Sequence, residues 1–427
     1  MKLRLIAAFT TICIALIMTT GCTSDKPINS SSADEADDKT AAALVEPVDG
    51  LSSDFIKGMD ISSIISLEKS GVVYYDYDGK PQDIFLTLSE SGVNYIRVRV
   101  WNDPFDSDGN GYGGGNCDAA NAAEIGKRAA ACGMKLLVDF HYSDFWADPD
   151  RQNAPKAWSD MSFEDKKNAI YDYTAESLKF ISESGADIGM VQIGNEINGG
   201  VAGEYQSEQI IELLKQASCA VRDVSKQSGK DIKTAVHYTG IENYDAIMYH
   251  VDMLKSAELD YDIFGVSYYP YWHGSMENMK KTLRDISQAS GKSTMILETS
   301  YPYTTEDGDG FGNVIGGAEP VQGYKASVQG QSECLRDIIA AASEAGAIGV
   351  CWWEGAWIPV GRDNASNSTL WEKYGSGWAS SYSAEYDPDN AGKYYGGSSW
   401  DNQAMFDFDG HPLDSLNVFN LVGGAIY

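Results

Sequence analysis

Two glutamates stand where apolar runs end. Val191-Gln192-Ile193-Gly194-Asn195-Glu196 carries apolar residues into Gly-Asn-Glu, and Thr294-Met295-Ile296-Leu297-Glu298 closes on the second. Each run reads as a buried strand that delivers a carboxylate to its C-terminal end. Two carboxylates facing across a cleft are the equipment of glycoside hydrolysis. One protonates the leaving oxygen and the other attacks the anomeric carbon or activates water. At ~5–5.5 Å apart they give retention of configuration. The pair needs unlike pKa values: Glu196 protonated as acid, Glu298 held ionised by an arginine of the second strand. Asn195 is placed by its position to hydrogen-bond a sugar 2-hydroxyl. A short Asn-Glu motif also fits a solvated loop, and paired glutamates also fit a structural carboxylate network. The elements around them have to decide.

Those elements alternate. Strands are expected at Phe55–Ile61, Tyr95–Trp101, Met134–His141, Val191–Glu196, Ile232–His237, Ile263–Tyr268, Thr294–Glu298 and Ile348–Trp353. Helices are expected at Gln82–Ser91, Ala119–Cys132, Phe163–Ser184, Gln206–Ser228, Asp245–Ser256, Met276–Ser290 and Gly330–Ala345, with a short last one near Leu413–Asn420. Glycines at the helix ends (Gly92, Gly133, Gly185, Gly229, Gly291, Gly346) mark stops. Eight strand-helix units predict an α/β fold, a closed (β/α)8 TIM barrel with long loops after strands seven and eight. An open doubly wound sheet would want a phosphate loop, and Gly113-Gly114-Gly115 lacks its spacing. In a barrel the fourth and seventh strands face each other across the lumen. Asp60, Arg97, Arg99, Asp139, His141, Asn195, Glu196, His237, Tyr268, Glu298 and Trp353 all fall at strand ends, on the face where barrels keep their active sites.

A net charge of -30 excludes nucleic acid and acidic polymers as partners, since no basic field attracts them. A neutral polymer is compatible, and 10 Trp with 25 Tyr supply flat apolar faces suited to sugar rings. Residues 1–21 read as a signal peptide: Lys2 and Arg4, an apolar run from Leu5 to Met18, then Gly21 before Cys22. Cys22 is the expected site of lipidation. Thr19 departs from the usual leucine, so cleavage without lipid stays open. Residues 22–50 read as the acylated cysteine and a disordered tether, and residues 51–427 as the catalytic domain. The chain is expected outside the cell, lipid-anchored at the surface or secreted, touching membrane through the anchor only. Cys117, Cys132, Cys219, Cys334 and Cys351 show no zinc-site spacing.

From Phe55 to the C-terminus the chain resembles glycoside hydrolase family 53, the arabinogalactan endo-β-1,4-galactanases, in the clan of retaining (β/α)8 glycosidases. The resemblance rests on Gly58-Met59-Asp60-Ile61-Ser62, on Ile96 through Pro104, and on Asp139-Phe140-His141-Tyr142-Ser143-Asp144-Phe145-Trp146-Ala147-Asp148-Pro149. It continues in Gln192 through Glu196, Glu298 through Pro302, and Trp400 through Asp407. It implies Glu196 as acid/base and Glu298 as nucleophile, acting on neutral plant β-1,4-galactan as a monomer. No cofactor is required for the chemistry. The resemblance also implies that Arg97, His141, Asn195, Tyr268 and Trp353 line the subsite of cleavage, and Asp60 joins them as a candidate for substrate contact. Arg97 and Arg99 share one face of their strand, which leaves the choice between them open. The alternatives are a surface glycan-binding lipoprotein without turnover, or a clan relative acting on another β-1,4-glycan.

The loops Thr299–Gln329 and Glu354–Gly410 are long enough to be functional, and the second is rich in Trp and Tyr. Glu306-Asp307-Gly308-Asp309-Gly310-Phe311-Gly312-Asn313 has hard oxygen ligands at alternating positions, as a calcium loop does. The resemblance implies a structural Ca2+ held by Asp309 and Asn313 from one loop and Ser398 and Asp401 from the other. Phe311 stands where the family pattern has a histidine. Asp106 through Gly111 matches half of an EF-hand loop, with Cys117 at the position of its glutamate, and reads as a polar turn.

Overall fold

The computed structural model describes residues 45–424. The signal segment, Cys22 and the tether up to residue 44 lie outside the described residues. Val45–Val48, expected as tether, instead lie against the barrel. Val48 is buried, its N–H donates to Val422 at 3.0 Å, and Arg336 donates to the carbonyls of Glu46 and Pro47. The two valines have apolar surface to bury, which the polar residues before them lack.

Among the described residues eight parallel strands close into a barrel in sequence order, with β1 paired to β8. They are β1 (Ile56–Asp60), β2 (Tyr95–Val100), β3 (Lys135–Phe140), β4 (Ile188–Ile193), β5 (Lys233–Tyr238), β6 (Ile263–Ser267), β7 (Ser293–Thr299) and β8 (Gly349–Trp352). The helices are α1 (Ile64–Lys69), α2 (Ile84–Glu90), α3 (Ala119–Ala131), α4 (Phe163–Glu183), α5 (Ser207–Ser228), α6 (Tyr244–Ser256), α7 (Met276–Ser290), α8 (Val328–Ala345), α9 (Asn364–Tyr374), α10 (Ala391–Tyr394) and α11 (Val418–Leu421). This is the expected (β/α)8 barrel.

Each strand alternates between two cores, which is why the strands read as continuous apolar runs. Val98, Val138, Val191, Val236, Val266, Ile296 and Val350 belong to the large core beneath the helices. Leu137, Met190, Ala235, Ile263, Met295, Leu297 and Cys351 form a separate cluster with Ile56. Toward the strand ends the second face turns polar: Arg97, Arg99, Asp139, Gln192 and His237 are all buried.

Helix ends follow capping chemistry. Ser162, Ser275 and Ser327 accept from the backbone N–H of Asp165, Asn278 and Gly330, starting α4, α7 and α8. The last of these places the start of α8 at Val328, two residues before the apolar periodicity begins. Helix α9 was not expected. Only Asn367 and Trp371 of it are buried, so it has no apolar stripe, but Asp363 caps its start and Gly375 at φ 72 ends it. The Asp106 turn is polar as expected: Asp106 Oδ1 accepts from Asp108 and Asn110 N–H, leaving little for a metal. The same turn recurs at Asp76 and Asp407.

Candidate active site

Strand β4 ends at Ile193, earlier than expected. Gly194 at φ 100 breaks it, and a Cβ there would lie 2.5 Å from Ile197 Cγ2. Asn195 and Glu196 therefore stand on a turn above the strand. Glu196 is itself left-handed, at φ 43, which is strained for a residue with a side chain. The strain is held by the Ile197 N–H donating to the His237 carbonyl at 2.9 Å and by Gln152 donating to the Asn195 carbonyl at 2.9 Å.

Arg97 is the hub. Its guanidinium is 1% exposed and lies 2.7 Å from Glu298, 2.9 Å from Asp60 and 2.9 Å from Asp139. It also donates to Asn195 Oδ1 at 3.0 Å and Gln192 Oε1 at 3.2 Å. Arg99, on the same strand face, turns instead to Glu354, Ser63 and the Gly114 carbonyl. The choice between the two arginines falls on Arg97 as the partner of Glu298. Asp60 has no surface to offer a substrate: Oδ1 accepts from Ser62 and Oδ2 from Arg97, and the residue is 0% exposed. Its place is behind Arg97. His141 is similarly committed, with Nδ1 accepting from Trp101 and Ala147 and Nε2 facing Asp139 at 3.1 Å. Asn195 donates one amide hydrogen to Ala147 O at 2.9 Å and keeps the other.

Tyr268 does not reach the cleft. Its hydroxyl donates to Gly274 O and accepts from Gln322, and its ring packs in the outer core. Side chains alternate past the end of β6, so Ser267 and Tyr269 point inward instead. Tyr269 donates to Glu298 Oε2 at 3.0 Å, and Ser267 donates to Glu196 Oε1 at 2.7 Å. Sequence reasoning chose the wrong tyrosine of an adjacent pair; counting in twos from Ile263, which packs inside the barrel, leads through Gly265 and Ser267 to Tyr269.

Trp353 stands edge-on to Trp400 at 4.9 Å, and Trp400 meets Tyr269 at 5.8 Å and Trp272 at 6.0 Å. Trp146 joins from the other side, 6.1 Å from Trp353. These rings form an aromatic wall beside the two glutamates. Trp272, at 47% exposed, presents open ring surface, and sequence reasoning had not singled it out.

Burial pushes the Glu298 carboxyl upward, to about 8, against the pull of Arg97, and the charge of Glu196 adds to the rise. Burial raises Glu196 too, against hydrogen bonds from Ser267 and Thr239. Of the two, the larger rise falls on Glu298, which feels the charge of Glu196. The partners of the two carboxyls differ. Glu298 Oε1 meets the guanidinium of Arg97 and its Oε2 the phenol of Tyr269, whereas Glu196 Oε1 accepts from the Ser267 hydroxyl. His237 is pushed well below the usual histidine range by burial and then by Arg97, so it is neutral.

A second acidic cluster joins the two long loops. Carboxylate oxygens of Asp307, Asp309 and Asp401 lie within 4.8 Å of one another. Asn313 donates to Asp401 at 2.7 Å, and the Ser398 N–H donates to Asp309 at 2.8 Å. All four expected ligands are thus brought together, with Asp307 added. Phe311 supplies no ligand; its ring lies 6.2 Å from Trp371. Burial pushes Asp309 up to about 6 and Asp401 to about 7, the latter also through the charge of Asp309. Asn313 Oδ1 is buried without a partner. Raised carboxyls around an orphaned acceptor fit a hard cation.

Similarity to known proteins agrees with this geometry. The profile of glycosyl hydrolase family 53 matches residues 56–419. An endo-β-1,4-galactanase of Bacillus subtilis (strain 168) is 53% identical over 380 residues, 88% of each chain. The arabinogalactan endo-β-1,4-galactanase of Cellvibrio japonicus (strain Ueda107) is 33% identical, covering 76% of this chain and 85% of its own. The solved catalytic domain from Ignisphaera aggregans superposes with a TM-score of 0.79 at 39% identity, over 89% of this chain and 99% of that one. The chain belongs to glycosyl hydrolase family 53.

Proposed function

We propose that this enzyme hydrolyses β-1,4-galactosidic bonds within galactan and arabinogalactan chains, with retention of configuration. The observation that carries the reading is the unequal support of the two glutamates: Arg97 and Tyr269 both donate to Glu298, while Glu196 meets hydroxyls. The names of the relatives supply the substrate, and the aromatic wall suits a neutral sugar chain. In the first step a Glu298 oxygen bonds to the anomeric carbon. The bond to the leaving oxygen breaks, and that oxygen takes the Glu196 proton. In the second step Glu196 takes a proton from water, the water oxygen bonds to the anomeric carbon, and the bond to Glu298 breaks. Asn195, with one amide hydrogen left, contacts the sugar 2-hydroxyl, and Trp353 lines the cleft. Asp60, Arg97 and His141 act from behind by fixing Glu298 and its surroundings.

Glu298→Ala and Glu196→Ala should each remove nearly all oligosaccharide release from β-1,4-galactan, and NMR of early products should show the β-anomer. Near-wild-type turnover in either variant, α-anomer products, or preference for xylan, mannan or cellulose would overturn the assignment. Oligosaccharide binding without turnover would make the protein a surface glycan binder instead.

The acidic cluster is proposed to hold a structural Ca2+ through Asp309, Asn313, Ser398 and Asp401, with Asp307. Bound there it would tie the loop after β7 to the loop after β8, which carries Trp400. The chain is proposed to act as a monomer at the cell surface, held by lipid on Cys22 or released after cleavage of the signal.

A further inference from the structure

The buried serine beside Glu196 has a partner of its own. Ser267 Oγ lies 2.7 Å from Glu196 Oε1 and 3.0 Å from His237 Nε2, and both Ser267 and His237 are 0% exposed. On its other side His237 Nδ1 meets Asn195 Oδ1 at 2.9 Å, Gln192 Nε2 at 3.0 Å and the Glu196 N–H at 3.3 Å. The ring thus grips the residue at both ends: its carbonyl and Nδ1 steady the left-handed backbone of Glu196, and Nε2 steadies the serine at the carboxyl.

We propose that Ser267 and His237 are positioning residues for the acid/base of the reaction. This rests on the assignment of Glu196 made above. When Glu196 is ionised, His237 Nε2–H donates to Ser267, and Ser267 donates to Oε1. When Glu196 is protonated, Ser267 keeps its hydrogen bond to Oε1, which directs the proton to Oε2 and to the glycosidic oxygen. The same hydroxyl therefore serves both halves of the cycle without any net change in its own protonation. A carboxylate or an ammonium at position 267 would serve only one. The other charged and titratable groups around Glu196 are Arg97 from β2, Asp148 from the loop after β3, Glu298 from β7, and Tyr269 after β6; Thr239 after β5 adds a second hydroxyl.

Ser267→Ala tests this. The hydrogen bond favours the ionised form, so its loss raises the Glu196 pKa, by about one unit for one hydrogen bond to a charged group. The basic limb of kcat/KM on galactan, where the acid form is lost, should move up by about that much. kcat at neutral pH should fall roughly tenfold and KM fall with it, because the second step needs ionised Glu196 while kcat/KM reports the first. His237→Asn should shift the limb in the same direction. A merely structural role would lower the melting temperature and leave the limb in place. Glu196→Ala is the control: with a dinitrophenyl galactobioside, whose leaving group needs no proton, it should keep kcat/KM while losing galactan. If the control behaves so and Ser267→Ala has the wild-type pH profile, the positioning role is overturned and the assignment of Glu196 stands. If the control loses both substrates, the assignment falls and the positioning role with it.

Discussion

Replacing Tyr269 by phenylalanine isolates one hydrogen bond. The phenol donates to Glu298 Oε2 at 3.0 Å, and Tyr269 is 5% exposed, so the aromatic ring keeps its packing against Trp400 and Trp272. Burial and the charge of Glu298 hold the phenol far above its usual range, so it acts as a donor throughout the working pH. A hydrogen bond to a charged group is worth about 1.5–3 kcal/mol. The sign follows from which form it favours. The bond stabilises ionised Glu298 and lowers its pKa, and its removal raises that pKa by about one to two units. The nucleophile must be ionised, so the acidic limb of kcat/KM should move toward higher pH. Activity below that limb should fall about 10- to 100-fold, while the basic limb stays with Glu196. Arg97 remains at 2.7 Å, which is why the loss is partial. The assay is initial rates on β-1,4-galactan over the full pH range, with melting temperature as control. An unmoved acidic limb would refute the claim that Tyr269 supports the charge on Glu298. A downward move would mean that the phenol favours the protonated form, and the roles of the two glutamates would have to be exchanged.

Two further outcomes follow from the same geometry. Trp272→Ala removes a ring that is 47% exposed, so the melting temperature should change little while KM on galactan rises several-fold, about 1 kcal/mol for a lost stacking contact; an unchanged KM would place the sugar chain elsewhere. Asp401→Asn should abolish any rise in melting temperature on adding Ca2+ and any fall on adding chelator. A wild-type enzyme indifferent to both would remove the cation from the loop cluster.

The barrel was legible because its signals are redundant. Apolar runs, amphipathic helices and glycine stops repeat down the chain, and an error of a residue or two at any boundary leaves the architecture intact. Both glutamates were legible for the same reason, since a strand end can be located to within a residue or two. Tyr268 shows where this stops working. Side chains alternate along β6 and past its end, so a one-residue error turns a cleft residue into a core residue. Asp60 and His141 lie where the sequence placed them, but their hydrogen bonds are used up by Arg97, Ser62, Trp101 and Ala147. Proximity can be read from a pattern, whereas whether a group is already satisfied depends on neighbours from distant strands. Helix α9 was missed because its fold comes from caps at both ends and not from an apolar stripe.

Charge count links these residues into one device. Among the described residues, Arg97 and Arg99 form ion pairs with the four carboxyls of Asp60, Asp139, Glu298 and Glu354. Two buried cations cannot neutralise four buried anions, and Glu196 stands beside them, so part of the set must carry protons. The structure sorts them by partner. Asp139 faces Arg97 and His141 and is held below the usual carboxylate range despite its burial. Glu354 is pushed up to about 7 by burial, against the pull of Arg99. Arg99 in turn lies 4.2 Å from the ring of Trp146, which closes one side of the aromatic wall. The cation thus packs against the Trp146 ring and pairs with a buried glutamate. Arg99 touches neither glutamate of the pair; it reaches the site through Trp146 and Glu354.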